Sequence, residues 1–307
     1  MNSINTNIAA MTALQALNNT NKQLLETQSR ISTGLAVATA ADNAAYFSIA
    51  TTMRSDNKAL GAVQDALGLG AATVDVAYTA LDSTLKVVDE IKTKLVAARE
   101  PGVDRTAIQA EISELQNQLT SIATSATFNG ENFLNVDSGA AEYNSTKSVV
   151  ASFTRSGSSV SIGTIGIDIT STALFDADAT GTGILDTSYN TTSTGTFTVS
   201  TLDISALTDS SADLTDLEDM ISGVDTAYGL VTTAAANLGA ASKRIELQSE
   251  FVGNLMDAID RGVSQLVDAD MNEESTRLQA LQVQQQLGIQ ALSIANSGSS
   301  NVLALFR

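Results

Sequence analysis

A seven-residue repeat of apolar residues constrains this chain more than any other feature of its sequence. Its members are Leu60, Leu67, Val74, Leu81, Val88 and Leu95. A second apolar row is expected between them, at Val63, Ala71, Tyr78, Leu85 and Ile91. A repeat of this length predicts a long helix in a left-handed bundle or coiled coil. Glu100, Pro101 and Gly102 predict the end of this helix, and Asp104 predicts the N-cap of the next one. Asn129 and Gly130 predict a turn where that next helix ends.

Alternating spacings of four and three predict further long helices on both sides of this repeat. The first helix begins near Ala10, and a second row on it contains Ile4, Ile8, Met11 and Leu25. Late in the chain, the same spacing runs from Met220 to Ala269, and helix continues from Met271 to Ile294. Apolar residues on more than one face predict helices that pack against several neighbours.

The middle of the chain changes character. Of the 61 residues in 145–205, 26 are Ser or Thr, and Ile165, Ile167 and Ile169 alternate with other residues as in strands. The predicted fold is therefore mainly α: an elongated hairpin of long, coiled-coil-like helices from the N- and C-terminal segments, with a small β-rich insertion at the outer tip. The predicted division is an inner domain of 1–41 and 271–307, a helical domain of 42–139 and 206–270, and a β-rich insertion of 140–205.

Charge is distributed unevenly along the chain. The formal net charge is −18, from 16 basic and 34 acidic residues. Segments 1–41 and 276–307 together hold four basic groups and one acidic group, a net +3, so the remainder carries −21. Depletion of charge is typical of the cores of protein interfaces, although disorder or a polar linker gives the same composition. The apolar spacing favours an interface.

Composition excludes several classes of function. The chain has no Cys, His or Trp, which excludes disulfides, ordinary structural zinc sites and histidine-based catalytic triads. It lacks a basic footprint for phosphate, so we expect no nucleic-acid partner. No apolar run reaches the roughly 18 residues of a spanning helix, and the start, MNSINTNIAAM, is unlike a secretory signal peptide. We therefore expect no enzyme activity, no cofactor, no metal site and no membrane insertion.

Several segments, taken in order, resemble bacterial flagellin. They are INTNIAAMTALQALNNTNKQL, SRISTGLAVATAADNAAYFSIATTMRSD, IQAEISELQNQL, FNGENFL and ANSGSSNVLALFR. The resemblance covers roughly residues 1–135 and 215–307, and ADNAAYFSIATTMRSDNKALGAVQDALGLG is similar to the alphaproteobacterial type. The chain departs from many flagellins at Ala36 and Ala41, where those proteins carry basic residues.

The resemblance implies a structural subunit of the flagellar filament, the motility propeller. It implies that the chain is exported unfolded through the type III export apparatus, with a secretion chaperone and the filament cap as partners. It also implies self-assembly outside the cell into a helical tubular polymer, either of identical copies or mixed with sister flagellins. The alternative is a hook–filament junction protein, or an adhesive coiled-coil binding protein built on flagellin-like ends.

The predicted self-assembly residues are the apolar residues of the two ends. They are Ile4, Ile8, Leu14, Leu17, Leu24, Ile31, Leu287, Leu292, Val302, Leu303, Leu305 and Phe306. We expect the last four to be buried in the filament against the N-terminal helix around Ile4, Ile8, Leu14 and Leu17. Neither end can bury all of its apolar faces by pairing with the other, so neighbouring subunits should cover the rest.

Overall fold

The computed structural model describes residues 6–157, 159–178, 183–193 and 195–304, with side chains as far as Ser297. The helices are α1 (Ile8–Thr33), α2 (Ala44–Ala97), α3 (Arg105–Ser125), α4 (Ser211–Val267) and α5 (Met271–Ala304). The strands are β1 (Thr127–Phe128), β2 (Glu131–Asn132), β3 (Asn135–Val136), β4 (Thr146–Ser156), β5 (Ser159–Asp168), β6 (Phe175–Asp176), β7 (Tyr189–Asn190) and β8 (Thr196–Phe197). The prediction of a mainly α chain, with long helices at both ends and a small strand-containing insertion, is confirmed.

The chain forms two compact units, each with its own core. Unit 1 contains Met1–Lys58 and Met256–Arg307, and unit 2 contains Ala59–Leu255. In unit 1, a small core is formed by the buried residues Val37 from the segment before α2, Ala50 of α2, and Val263 and Val267 of α4. The three-domain division predicted from the sequence stays a prediction.

The heptad repeat of α2 forms the core of unit 2, since all six of its members are at most 3% exposed. The second row differs from the prediction at Ala71, Tyr78 and Leu85, none of which is buried. The buried positions are the preceding residues Gly70, Ala77 and Thr84. The buried row lies three residues after each heptad member, and at the three corrected positions the helix carries small residues. Small residues let neighbouring elements approach the helix closely. The prediction of the larger residue four positions after Leu67, Val74 and Leu81 was therefore wrong.

The predicted turns are confirmed. Asp104 caps α3, because its carboxylate accepts hydrogen bonds from the backbone N–H groups of Thr106 and Ala107. Asn129 and Gly130 connect β1 to β2 with φ values of 51° and 83°, the left-handed region that this dipeptide adopts readily.

The antiparallel pair β4–β5 is the longest strand pair described in the insertion. Its register runs from Thr146 opposite Asp168 to Ser156 opposite Ser159, with an irregularity between Val150 and Ser152. The Nε2 group of Gln248 on α4 donates to the carbonyl of Ala151 at 2.9 Å, which fixes the hairpin on this helix. The alternating residues Ile165, Ile167 and Ile169 are buried, as their spacing predicts.

Arg105, the first residue of α3, holds the end of α2 and the segment before α4 together. Its Nε donates to the carbonyl of Ala98 at 3.0 Å, and its NH2 donates to Asp209 at 2.7 Å. The guanidinium also donates to the carbonyl of Leu207 at 3.4 Å. Because the side chain is only 8% exposed, these three acceptors replace the water that a buried cation loses.

Candidate assembly interface on the paired terminal helices

Helices α1 and α5 of unit 1 pack side by side in antiparallel register. The side-chain amide of Asn7 donates to the carbonyl of Ala295, and that of Gln285 donates to Asn21, at 2.9 and 2.8 Å. At the other end of the pair, Arg30 contacts Glu274. The paired residue numbers add to about 304 throughout, so one register holds along the whole pair.

The face of α5 that meets α1 follows a strict alternation of four and three. The residues with the lowest exposure along the helix are Glu274, Leu278, Leu281, Gln285, Gly288, Leu292 and Ala295. Gly288 lies directly against Leu17, because a Cβ at this glycine would be 3.1 Å from the leucine Cδ1. The predicted helix pairing therefore rests on a heptad seam that mixes apolar, small and polar side chains.

A partly buried ion pair closes the seam near the end of α1. The guanidinium of Arg30 donates to Glu274 at 3.0 Å and to Glu26 at 2.6 Å, and Arg277 lies 3.7 Å from the same Glu274 oxygen. The Glu274 side chain is 7% exposed, and its Oε2 has no hydrogen-bond partner among the described residues. The hydrogen bond to Glu274 raises the pKa of Arg30 above its ordinary value, so the cation persists at any physiological pH.

The segment between α1 and α2 ties both helices to the end of α4. Gly34 ends α1 with a φ of 73°, and its N–H donates to the carbonyl of Arg30. The N–H groups of Ala36 and Val37 donate to the carbonyl of Val267. The carboxylate of Asp42 accepts from the N–H groups of Ala38 and Thr39 and from the Thr39 hydroxyl, and the Thr39 backbone bond lowers the pKa of Asp42. The carboxylate is therefore satisfied by its own segment.

Both helices leave apolar rows uncovered on their outward faces. On α1 these residues are Ile8, Met11, Leu14 and Leu25, and on α5 they are Val283, Leu287, Ile289 and Ile294. Their exposed fractions lie between 48% for Leu14 and 71% for Ile294. We call these eight residues the outward rows. Contiguous exposed apolar residues of this kind are typical of sites that bind another protein surface.

The predicted self-assembly residues fall into three groups. Ile8, Leu14 and Leu287 lie on the outward rows. Leu17, Leu24, Ile31 and Leu292 are half-buried. Ile4, Leu305 and Phe306 lie outside the described residues, and Val302 and Leu303 belong to α5 by their backbone, with no side chain described.

Five exposed apolar residues of the outward rows were missing from the predicted self-assembly residues. They are Met11, Leu25, Val283, Ile289 and Ile294. A signal for part of this group was present, since Val283, Leu287 and Ile294 repeat at spacings of four and seven on the side opposite the seam. Met11 and Leu25 belonged to the second row predicted for the first helix.

Other kinds of site receive no support in the part of the chain that the structure describes. Within it, no group of three or more acidic side chains is placed to hold a metal ion. None of its helices has an apolar stretch long enough to cross a bilayer.

Uncovered apolar rows on paired helices are typical of surfaces that bind other proteins. Models of the bacterial flagellin N-terminal and C-terminal helical regions match residues 4–138 and 221–306. The chain is 53% identical to Flagellin C of Rhizobium meliloti strain 1021 and 46% identical to a flagellin of Brucella melitensis biotype 1, in each case over 100% of both chains. It belongs to the bacterial flagellin family.

A second Rhizobium meliloti protein, Flagellin A, is 45% identical over 100% of both chains. A crystal structure of Bacillus cereus flagellin aligns with a TM-score of 0.35 and 18% identity, over 62% of this chain and 88% of that one.

The family and these relatives give the chain its role. It is a structural subunit of the flagellar filament, an extracellular polymer, and its partners are other flagellin subunits. The presence of several flagellins in Rhizobium meliloti is compatible with a filament of one subunit type or of several. The predicted family, function and location are confirmed.

Proposed function

We propose that the outward rows of α1 and α5 are the contacts that join this subunit to its neighbours in a helical tubular polymer. The observation that carries the proposal is the exposure of eight large apolar side chains on two helices whose inward faces are already paired. Burying each such side chain fully contributes roughly 1.5–3 kcal/mol. Several of them offset the cost of ordering a subunit in the polymer, which is on the order of 4–15 kcal/mol.

The helix register favours contacts between copies for the C-terminal segment. Within one subunit, Leu17 lies beside Gly288 and Asn7 lies beside Ala295. Val302 is seven residues beyond Ala295, about 10 Å further along a helix, so it extends past Asn7 and away from Leu14 and Leu17. We therefore assign the contact between this segment and the row of Ile8 and Leu14 to two different subunits.

Such contacts generate a helix of subunits. One end of a chain would meet a different surface on the next chain, which is a heterologous interface. Head-to-tail interfaces whose rotation does not close produce open helical polymers. The near absence of charge on the terminal segments suits this role, because an unpaired buried charge is costly.

The remaining parts of the proposal concern partners and chemistry. The chain passes the type III export apparatus unfolded, is held beforehand by a secretion chaperone and is added beneath the filament cap. It acts mechanically, as the propeller, and not as an enzyme. The chain has no Cys and one Pro, which supports rapid folding after export. No disulfide has to form, and at most one slow prolyl isomerisation is needed.

Charged substitutions on the outward rows test the interface. We expect Ile8→Asp and Leu287→Asp each to raise the critical concentration for assembly at least about tenfold, because a contact loses 1.4 kcal/mol or more. Val160→Asp is the matched control, since Val160 is 49% exposed but lies in the β4–β5 hairpin. Electron microscopy and sedimentation measure filament formation, and circular dichroism checks the helices. Normal filaments from Ile8→Asp and Leu287→Asp would refute the assignment.

Deletion of residues 302–307 tests the role of the C-terminal segment. We expect the truncated subunit to keep its helices and to stay soluble, but to form no filaments when it is measured by the same methods. Filaments of normal length and yield from the truncated chain would show that this segment is dispensable.

Limited proteolysis of intact filaments tests the proposed position of residues 140–205 at the filament surface. Their Ser and Thr content supports this position, and we expect the first cleavages there. First cleavages within α1 or α5 would contradict the proposed arrangement.

A further inference from the structure

Methionine is the side chain of this protein that mild oxidants attack most readily. The sequence has six Met and no Cys, Trp or His. In the absence of thiols, the thioether is the group that mild two-electron oxidants convert first. The position of each methionine therefore decides what such an oxidant does to the subunit.

The described methionines differ strongly in access to solvent. Met11 on α1 is 57% exposed, and Met271, the first residue of α5, is 46% exposed. Met220 in the core of unit 2 is 5% exposed, whereas Met53 and Met256 are half-buried. Met11 and Met271 are thus the two that a small oxidant in solution reaches most easily.

Met11 is also the methionine within the outward rows. It lies three residues after Ile8 and three before Leu14, a spacing that places helix residues on one side, and all three are exposed. Oxidation converts a flexible apolar side chain into a polar, chiral sulfoxide. A sulfoxide oxygen at this position would be buried between subunits, and a buried polar group without a hydrogen bond is costly.

We propose that Met11 is a methionine-oxidation site and that its sulfoxide keeps a free subunit out of the filament, an inference that rests on the proposed function. The oxidant is a hydroperoxide, such as hydrogen peroxide. A sulfur lone pair attacks one peroxide oxygen, the S–O bond forms and the O–O bond breaks. The proton of the transferred hydroxyl passes to the departing hydroxide, so that sulfur is oxidised by two electrons and peroxide is reduced to water.

Limited oxidation of purified full-length subunits with hydrogen peroxide tests this site. Peptide mass spectrometry measures sulfoxide at each methionine, and sedimentation measures the critical concentration for assembly. We expect Met11 and Met271 to be oxidised before Met220, and the critical concentration to rise at least about tenfold. Treatment with a methionine sulfoxide reductase and a dithiol should restore assembly. Normal assembly of subunits that carry the Met11 sulfoxide would overturn the proposal.

Met11→Leu and Met271→Leu provide the matched comparison, since leucine keeps the volume and removes the thioether. Oxidised Met11→Leu should assemble like untreated protein, and oxidised Met271→Leu should fail like oxidised wild type. Equal loss of assembly in oxidised Met11→Leu would overturn the proposal. Ile8→Asp distinguishes a failure of the proposed assembly contacts from a failure of the inference about oxidation. If Ile8→Asp assembles normally, the outward rows are not contacts and the proposed function fails. If it is blocked while the Met11 sulfoxide is tolerated, the inference about oxidation alone fails.

Discussion

At the scale of single residues, Gly70 and Gly68 of α2 show how close packing constrains one position and leaves its neighbour free. A Cβ at Gly70 would lie 2.7 Å from Cγ2 of Val149 on β4, whereas a Cβ at Gly68 would meet nothing within 4 Å. We expect Gly70→Ala to lower the free energy of unfolding by roughly 1–3 kcal/mol, because the stiff β-branched Val149 must move. The control Gly68→Ala should raise it by roughly 0.5–1 kcal/mol. Urea unfolding measures both, and equal effects would contradict this packing.

The contribution of Asp42 to the stability of the fold should depend on pH. Hydrogen bonds from Thr39 and Ala38 hold its pKa below the ordinary value of 3.8. A carboxyl with a lowered folded-state pKa stabilises the fold above its unfolded pKa, and this contribution is lost as pH falls through the folded-state pKa. Asp42→Asn should therefore unfold more easily than wild type at pH 7, and the difference should shrink below about pH 4. A difference that persists unchanged at pH 2.5 would argue against this role of the carboxylate.

At the scale of elements, the sequence predicted most of the helices because long periodic patterns average over local errors. The heptad of α2, the Asp104 cap and the Asn129 turn were each read from residues whose local physics is sufficient. The second row of α2 could not be predicted from local physics, because the burial of Thr84 and the exposure of Tyr78 depend on which neighbours approach the helix. The face of α5 that meets α1 could not be predicted either. Gly288 and Gln285 lie on this face because they contact Leu17 and Asn21 of α1.

The side chain of Arg105, which joins the end of α2 to the segment before α4, can be tested by a single substitution. Arg105→Met should keep the apolar stem but leave the carbonyl of Ala98 without its donor. Removing one partner of a buried hydrogen-bonded charge costs about 3–5 kcal/mol, and the half-exposed Asp209 places the expected loss at or below the lower end of this range. Urea unfolding of unit 2 measures the loss, with Lys86→Met as the control at an exposed helix pair. A loss no larger than that of the control would contradict the bridging role.

At the scale of the whole molecule, charge separates the two units. Unit 1 has seven basic and nine acidic residues, a net −2, whereas unit 2 has nine basic and 25 acidic residues, a net −16. Copies in a filament bring units of like charge together, and salt shortens the range of their repulsion from about 30 Å at 0.01 M to about 8 Å at 0.15 M. The critical concentration for assembly should fall over this range. A critical concentration that stays constant would contradict this repulsion, and one that rises would assign the dominant contacts to charge pairs.

The central claim is that the outward rows become buried when subunits assemble, and thiol labelling tests it most directly. The chain contains no Cys, so one introduced cysteine reports one position. The variants Ile8→Cys and Leu287→Cys place a thiol on the rows, and Ser156→Cys places one at the exposed end of β4. Reaction with a maleimide, measured in free subunits and in assembled filaments, should slow at least about tenfold in filaments for the two row positions, since a loss of access equal to 1.4 kcal/mol is tenfold. It should stay nearly unchanged for Ser156→Cys. Row thiols that react as fast in filaments as in free subunits would contradict the account.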